Sequence, residues 1–423
     1  MVTVTRSARL VPPLLRERQG FRRFWIGQTI SLFGDQFTLL ALPLVAVLAL
    51  DASPAQMGYL DAAALLPNLL FSLHAGAWID RRGHRRQVMI AADLGRAGLI
   101  ATIPLAATVG LLSFGQLYGV AFLTGTLSML FMVSYTTLFV SLVPAERYVE
   151  ASSLLNGSRA LSFVGGKSLA GLLVKVASAP VALLADAASF VVSALCLGRI
   201  HPVEPPTEAR ARGLIGGGLR YLWRSAILLP QLAATTTINF FNYMFHALFI
   251  LYATRSLEVP PATLGAVLGA GAVGGVVGSM VTGRLSRRIG IGPAFVLGCL
   301  LFPAPLVLIP LAGGSRSLVL ALLFLAQLGC GLGVMILDIT GGSIMAAIIP
   351  DQVRARVTGA FLLVNYGVRP LGALAGGLLG QAIGLRPTLW IATVGAVAGV
   401  LWLLPSPVPK LRDLPSPTPS PDW

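Results

Sequence analysis

The chain has 423 residues, 55% of them hydrophobic and 11% charged, with a mean hydropathy of +0.81. Soluble proteins carry roughly 25% charged residues, so most of this surface faces lipid. The low charge and many apolar runs exclude intrinsic disorder, and the absence of a G-X-Y period excludes collagen. A formal charge of +15 would point to nucleic acid in a soluble protein. Here the charges lie between apolar runs, so they read as membrane-flanking residues and no nucleic-acid partner is expected.

A membrane helix needs about 20 mostly apolar residues. Twelve such runs follow in order: 23–50, 55–79, 88–112, 116–143, 151–174, 180–197, 227–252, 262–285, 290–311, 318–339, 357–383 and 387–404. Residues 1–22 are polar and Arg-rich, without a cleavage site after the first apolar run, so that run is expected to stay as an anchor. The linker 199–226 has a Pro-, Glu- and Arg-rich solvated part. Leu214, Leu219, Tyr221, Leu222 and Trp223 then read as a short interfacial helix. The Pro-rich tail 405–423 cannot build helix or sheet and is expected to be disordered. The expected organisation is a six-helix bundle over 23–198, the linker, and a second bundle over 227–404.

Basic residues cluster before the first run, after the second, in the linker and after the eighth. The opposite loops carry Arg255, Arg316, Arg386 and Lys175. This asymmetry places both termini in the cytoplasm of a multi-pass protein of the cell (inner) membrane. Cys196, Cys299 and Cys330 lie in apolar runs without metal or disulfide spacing, and read as inert thiols.

The halves repeat. Pro144-Ala-Glu-Arg147 matches Pro350-Asp-Gln-Val-Arg354 at an offset of about 206 residues, which puts Gly166 on Gly372 and Gly171 on Gly377. One residue further out, 76–83 falls on 283–290. A parallel six-plus-six repeat implies two bundles around a pathway that opens alternately to each side. An all-α membrane fold of twelve helices in two pseudo-symmetric bundles is therefore expected.

Gly76, Asp80, Arg81, Gly83, Arg85 and Arg86 have the spacing G-x-x-x-D-R-x-G-x-R-R. That resembles the signature loop between helices two and three of the major facilitator superfamily. Gly34-Asp35-Gln36, Ala92-Asp93-Leu94-x-Arg96 and Asp186-Ala-Ala-Ser-Phe190 are similar to its drug–proton antiporter branch, which contains macrolide and siderophore (enterobactin-type) exporters. The resemblance implies the major facilitator fold, helices one, four, seven and ten around the cavity, and Asp80 as a latch for one state. Topology-setting charge alone is the plainer reading of that loop, whose arginines face anionic lipid. One departure stands out: antiporters of this type carry a Gly-Pro pair in helix five, and this chain has Gly166-Lys167.

Asp35 lies near the bilayer middle, and Gln28, Ser31, Asp35 and Thr38 recur at helical spacing as one polar stripe. A carboxylate there is costly and often functional, so Asp35 is the candidate for proton or cation coupling; a structural bond to a neighbouring helix is the alternative. Helix seven carries a second stripe, Asn239, Asn242, Tyr243 and His246, among phenylalanines. With the resemblance, Met132 and Tyr135 of helix four join these as cavity candidates, although a lone His is more often simply packed. Lys167 needs neutralising, and Asp186 is its expected partner, with Asp35 competing. Asp93 and Arg96 are three residues apart and read as a local pair. Arg159, Asp338 and Arg369 are further buried charges. Arg369 could hold an anionic group, but helix eleven is not among the cavity helices the resemblance implies.

Gly166-Lys167-Ser168 lacks the upstream glycine of a phosphate loop, and Gly269-x-Gly271-x-x-Gly274 belongs to a small-residue ladder along helix eight. With no ATPase motif, no cofactor and no enzyme-like cluster of His, Cys or paired carboxylates, the expected energy source is an ion gradient. The expectation is a monomeric secondary transporter that exports a small amphipathic, drug-like or natural-product molecule against protons. Uptake or uniport of a metabolite stays open because of the Lys167 departure. A non-transporting membrane receptor is the remaining alternative.

Overall fold

The computed structural model describes residues 12–200 and 214–414, with the side chains of 72–78, 80–82, 214, 215 and 355 outside that description. Most of the solvated linker and the end of the tail, 415–423, therefore lie outside the described residues. So do the side chains of Gly76, Asp80 and Arg81.

Twelve spans follow a short helix at Pro13–Glu17. They are α1 (Gln19–Ala49), α2 (Pro54–Arg82), α3 (Arg85–Thr108), α4 (Phe114–Leu142), α5 (Tyr148–Leu161 continuing as Lys167–Val176) and α6 (Ala179–Gly198). After a linker helix at Leu214–Arg224 come α7 (Leu228–Arg255), α8 (Pro261–Ile289), α9 (Ile291–Leu301 continuing to Leu311), α10 (Arg316–Ile348), α11 (Asp351–Ile383) and α12 (Leu385–Ala398). Among the described residues nine helices are long and apolar enough to cross a membrane. Of the other three, α2 runs through residues outside that description, α7 is long but carries more polar residues, and α5 is interrupted.

Local chemistry sets the ends. Ser53 and Gln56 form a capping box at α2, while Ser113, Ser178 and Ser315 cap α4, α6 and α10. Each satisfies backbone N–H groups that a helix leaves unpaired at its start. Gly83 (φ 62°) ends α2 and Gly290 (φ 95°) ends α8, at equivalent points of the two halves. Both have positive φ, a region that suits glycine, so the glycine of the loop motif is first a chain-turning residue.

Two differences from expectation have local causes. The fifth span is not one continuous α-helix: Ser162–Gly166 form a π-turn immediately before Lys167. The tail is not wholly unstructured either. Val408–Lys410 make one 3-10 turn, Val408 is buried, and the N–H groups of Ile291 and Gly292 donate to Arg412 and Leu411 carbonyls. Proline blocks a long helix there but permits a single turn that satisfies the exposed start of α9.

In the first half α1 packs along α6, α3 on α4 and α6, and α2 on α4. In the second, α7 packs on α11 and α12, and α10 on α8 and α9. The halves meet mainly through α2 with α11 and α5 with α8, pairs exchanged by the repeat. Glycines allow both crossings. A Cβ on Gly58 would lie 2.7 Å from the Gly377 Cα, and one on Gly171 would lie 3.0 Å from the Gly265 Cα. All four are at the end of the molecule remote from the chain termini, so the bundles are held together there. Two six-helix bundles related by the repeat and joined at one end are the arrangement the sequence leads one to expect.

Candidate transport site

Most of the first polar stripe turns toward α6, with Asp35 at its more open edge. Gln28 and Ser31 are buried, Gln28 Nε2 donates to Ser193 Oγ at 3.5 Å, and Thr38 donates to the Asp186 carboxylate. The expectation that Gln28, Ser31 and Thr38 line the substrate cavity is corrected accordingly. Gly27 and Gly34, seven residues apart on one face, bring α1 against α6. A Cβ on Gly34 would sit 2.0 Å from Ser189 Oγ, leaving no room between these helices.

Asp35 is partly buried beside this contact, in electrostatic reach of Asp186 and Arg96. Arg96 pairs with Asp93, as the three-residue spacing predicts, and donates to Ser128 at 3.3 Å. Its guanidinium lies 4.7 Å from the Phe131 ring centroid and 4.0 Å from that of Phe190. Three carboxylates from α1, α3 and α6 thus share one aromatic-flanked guanidinium inside the first bundle.

Lys167 makes no ion pair with Asp186 among the described residues. Asp186 is instead bonded by Thr38 and by Ser189 at 3.1 Å. The helix around Lys167 explains the correction. Gly166 faces Gln36 of α1, while the Lys167 backbone meets Gly265 of α8. The next residue after Gly166 turns about 100° away from α1, so its ammonium is in electrostatic reach of Cys330 and His246 in the second half.

The second stripe fares differently. Gln231, Thr235, Ile238, Asn239, Asn242 and Tyr243 recur at i, i+4, i+7, i+8, i+11 and i+12 on α7, and line a cavity of about 340 Å³ closed by α9, α10 and α11. Asn239 donates to Asn365 at 3.0 Å, and Asn365 to Thr235 at 2.9 Å. Arg369 of α11 reaches the same cavity. Its Nη1 donates to the Tyr243 hydroxyl at 3.2 Å, and its guanidinium lies 3.6 Å from the Tyr366 ring centroid and 5.0 Å from that of Tyr243. Asp338 of α10 is also on the wall.

His246, Met132 and Tyr135 are not on that wall. His246 pairs with Asp61 of α2 at 2.9 Å, bridging the bundles, and Arg255 pairs with Asp51 nearer the closed end. Tyr135 stacks on Phe24, and Met132 is half-exposed on the same helix. Sequence reasoning undervalued Arg369 and Asp338, although an unneutralised charge in an apolar helix was the signal for both.

In the loop motif, Arg85 is buried, and Arg86 donates from Nε to the Leu197 carbonyl at 2.8 Å and from Nη2 to that of Gly198 at 2.5 Å. Arg23 reaches Arg199 O at 2.5 Å. These cations sit on the carbonyl-rich end of α6, where the helix dipole favours positive charge.

Comparison with known proteins extends this picture. The chain is 28% identical over 416 residues to the multidrug efflux pump Tap of Mycobacterium tuberculosis, covering 90% of this chain and 91% of that protein. It is 25% identical over 390 residues to the uncharacterized MFS-type transporter YfiS of Bacillus subtilis, covering 88% and 89%. Its structure superimposes on the nucleoside transporter NupG with a TM-score of 0.76 at 11% identity, covering 90% of this chain and 98% of NupG. A bacterial homologue of the iron transporter ferroportin in an inward-facing state gives 0.73 at 18% identity, covering 91% and 97%. The sequence profile described as Major Facilitator Superfamily matches residues 24–373 and 232–420, and the chain belongs to that family of membrane transporters.

Proposed function

We propose that this protein is a proton-coupled secondary transporter that exports a small amphipathic, drug-like or natural-product molecule across the cytoplasmic membrane by alternating access. It acts as a monomer with both termini cytoplasmic and anionic lipid around its basic loops. The glycine-packed end is then external, and the form described here is closed to the outside. The multidrug efflux pumps among its relatives support the direction.

The observation that carries the coupling is the cluster Asp35, Asp93, Asp186 and Arg96. Three ionised carboxylates against one guanidinium would leave a net charge of −2 inside the bilayer, which protons can offset. Asp35 is the most open of the three, so it is the candidate for proton exchange with the pathway. Asp93 is held by Arg96, and Asp186 by Thr38 and Ser189.

Inverted vesicles with an acid interior and a trapped pH dye test this reading. Adding macrolides, lipophilic cations, quinones and siderophores in turn is expected to drive proton efflux with one class, and Asp35→Asn to abolish it. Silence across the panel from folded protein would favour the second reading, uptake or uniport, which Lys167 in place of the family's helix-five proline supports.

A further inference from the structure

The cavity inside the second bundle has an unusual charge arrangement. It runs along about 18 Å of α7, from Gln231 to Tyr243. Its wall carries one cation, Arg369, and one carboxylate, Asp338, in electrostatic reach of each other. No ion pair forms between them among the described residues, although each is the other's evident charge partner.

Arg369 is poised rather than satisfied. Tyr366 stacks on its guanidinium and Tyr243 takes one of its five donors, while Nε has no partner. Stacking covers the face of a guanidinium and leaves its edge, where the donors lie, for an oxyanion. Asp338 is exposed on the wall of the same cavity. A second unmet group lies at the other end: Gln231 is 2% exposed, its Nε2 donates to the Gly341 carbonyl at 3.0 Å, and its Oε1 has no partner.

We infer that this cavity takes an amphipathic zwitterion, with its oxyanion on Arg369, its ammonium on Asp338 and its apolar body along the face of α7. The inference rests on reading the cavity as the substrate chamber, and it names the substrate class. An anion alone would meet the Asp338 carboxylate, and a cation alone would meet Arg369. Each would set a like charge beside one of the two wall residues, which repels it, and leave that residue without a ligand partner. A ligand with both charges satisfies both walls at once and adds no net charge to the membrane interior. Binding its ammonium at Asp338 would also displace any proton there, the sign an exchanger of substrate against protons needs.

Three fluorescent probes with one shared body test this in nanodisc-reconstituted protein: dansylcadaverine (cation), 6-(dansylamino)hexanoic acid (anion) and Nε-dansyl-lysine (zwitterion). The zwitterion is expected to bind at least tenfold more tightly than either of the others. Arg369→Gln should lower its affinity to that of the amine, and Asp338→Asn to that of the acid, with Tm reporting the fold of each variant. Equal binding of the three probes, or an order unchanged by both substitutions, overturns the inference. Where Arg369→Gln gives no folded protein, Arg369→Lys serves, because it keeps the charge and loses the fork. Weakened acid and zwitterion with unchanged amine support the assignment, and equal losses for all three reject it. Transport without this binding order overturns the inference and leaves export standing; the binding order without transport does the reverse.

Discussion

The two halves share a topology and spend their polar residues differently. In the first bundle, Gln28, Thr38, Arg96 and Asp186 are turned toward neighbouring helices of their own bundle and bonded there. In the second, Asn239 and Asn365 are bonded, but Asn242, Tyr243, Arg369 and Asp338 stand around an open volume. The glycines account for part of this. Gly27 and Gly34 draw α1 onto α6 until no cavity remains, whereas α7 meets the cavity through bulky Asn, Tyr and Ile. A repeat therefore fixes where helices go, and side-chain size decides whether two of them close together or leave a space.

The sharpest way to break this comparison is to remove the cation of the first bundle. Arg96→Met strands the Asp93 carboxylate and is expected to cost about 3–5 kcal/mol, seen as a large fall in Tm or loss of folded protein. Adding Asp93→Asn should recover part of it; an unchanged Tm in the single variant would mean that the cluster is not held by Arg96. Next in size come the crossings between halves. Gly58→Leu and Gly171→Leu overpack equivalent contacts and should each cost about 1–3 kcal/mol. Both should raise maleimide labelling of a cysteine at Ser168, near Gly269 in the α5–α8 contact. An effect of only one of them would deny the pseudo-symmetry of the closed end.

Smaller effects separate contact from proximity. Lys167→Ala is expected to leave Tm nearly unchanged, and Lys167→Ala with Asp186→Ala to show no mutual rescue, because Lys167 points to the second half. Recovery in the double variant would reinstate the pair. Arg255→Ala should cost less than about 1 kcal/mol, since the Asp51 side chain it meets is 93% exposed. A larger loss would make that bridge a main fastener of the closed end.

Much of this was readable from residue order. Twelve apolar runs, the linker helix, the repeat and the Asp93–Arg96 pair follow from length, periodicity and spacing. The α7 stripe was legible because its polar residues are large and lie on one face between phenylalanines. The α1 stripe was equally regular, yet it faces α6. Periodicity tells which residues share a face and not which neighbour that face meets. Lys167 failed as a prediction for a related reason: proximity in sequence between α5 and α6 stood in for proximity in space, and Gly166, not Lys167, is the residue that turns toward α1.

The sequence by itself determined that this chain lives in a membrane, how many times it crosses, and that its halves repeat. These follow from apolar length and from the cost of charge in lipid, which act locally along the chain. Only the tertiary structure decided which polar face closes against a neighbour and which opens on a cavity. That choice depends on how closely helices far apart in sequence can approach, and glycines on one helix set it only together with the residues they meet on another. Arg369 and Asp338 became wall residues of one chamber in the same way, when α10 and α11 were brought around α7.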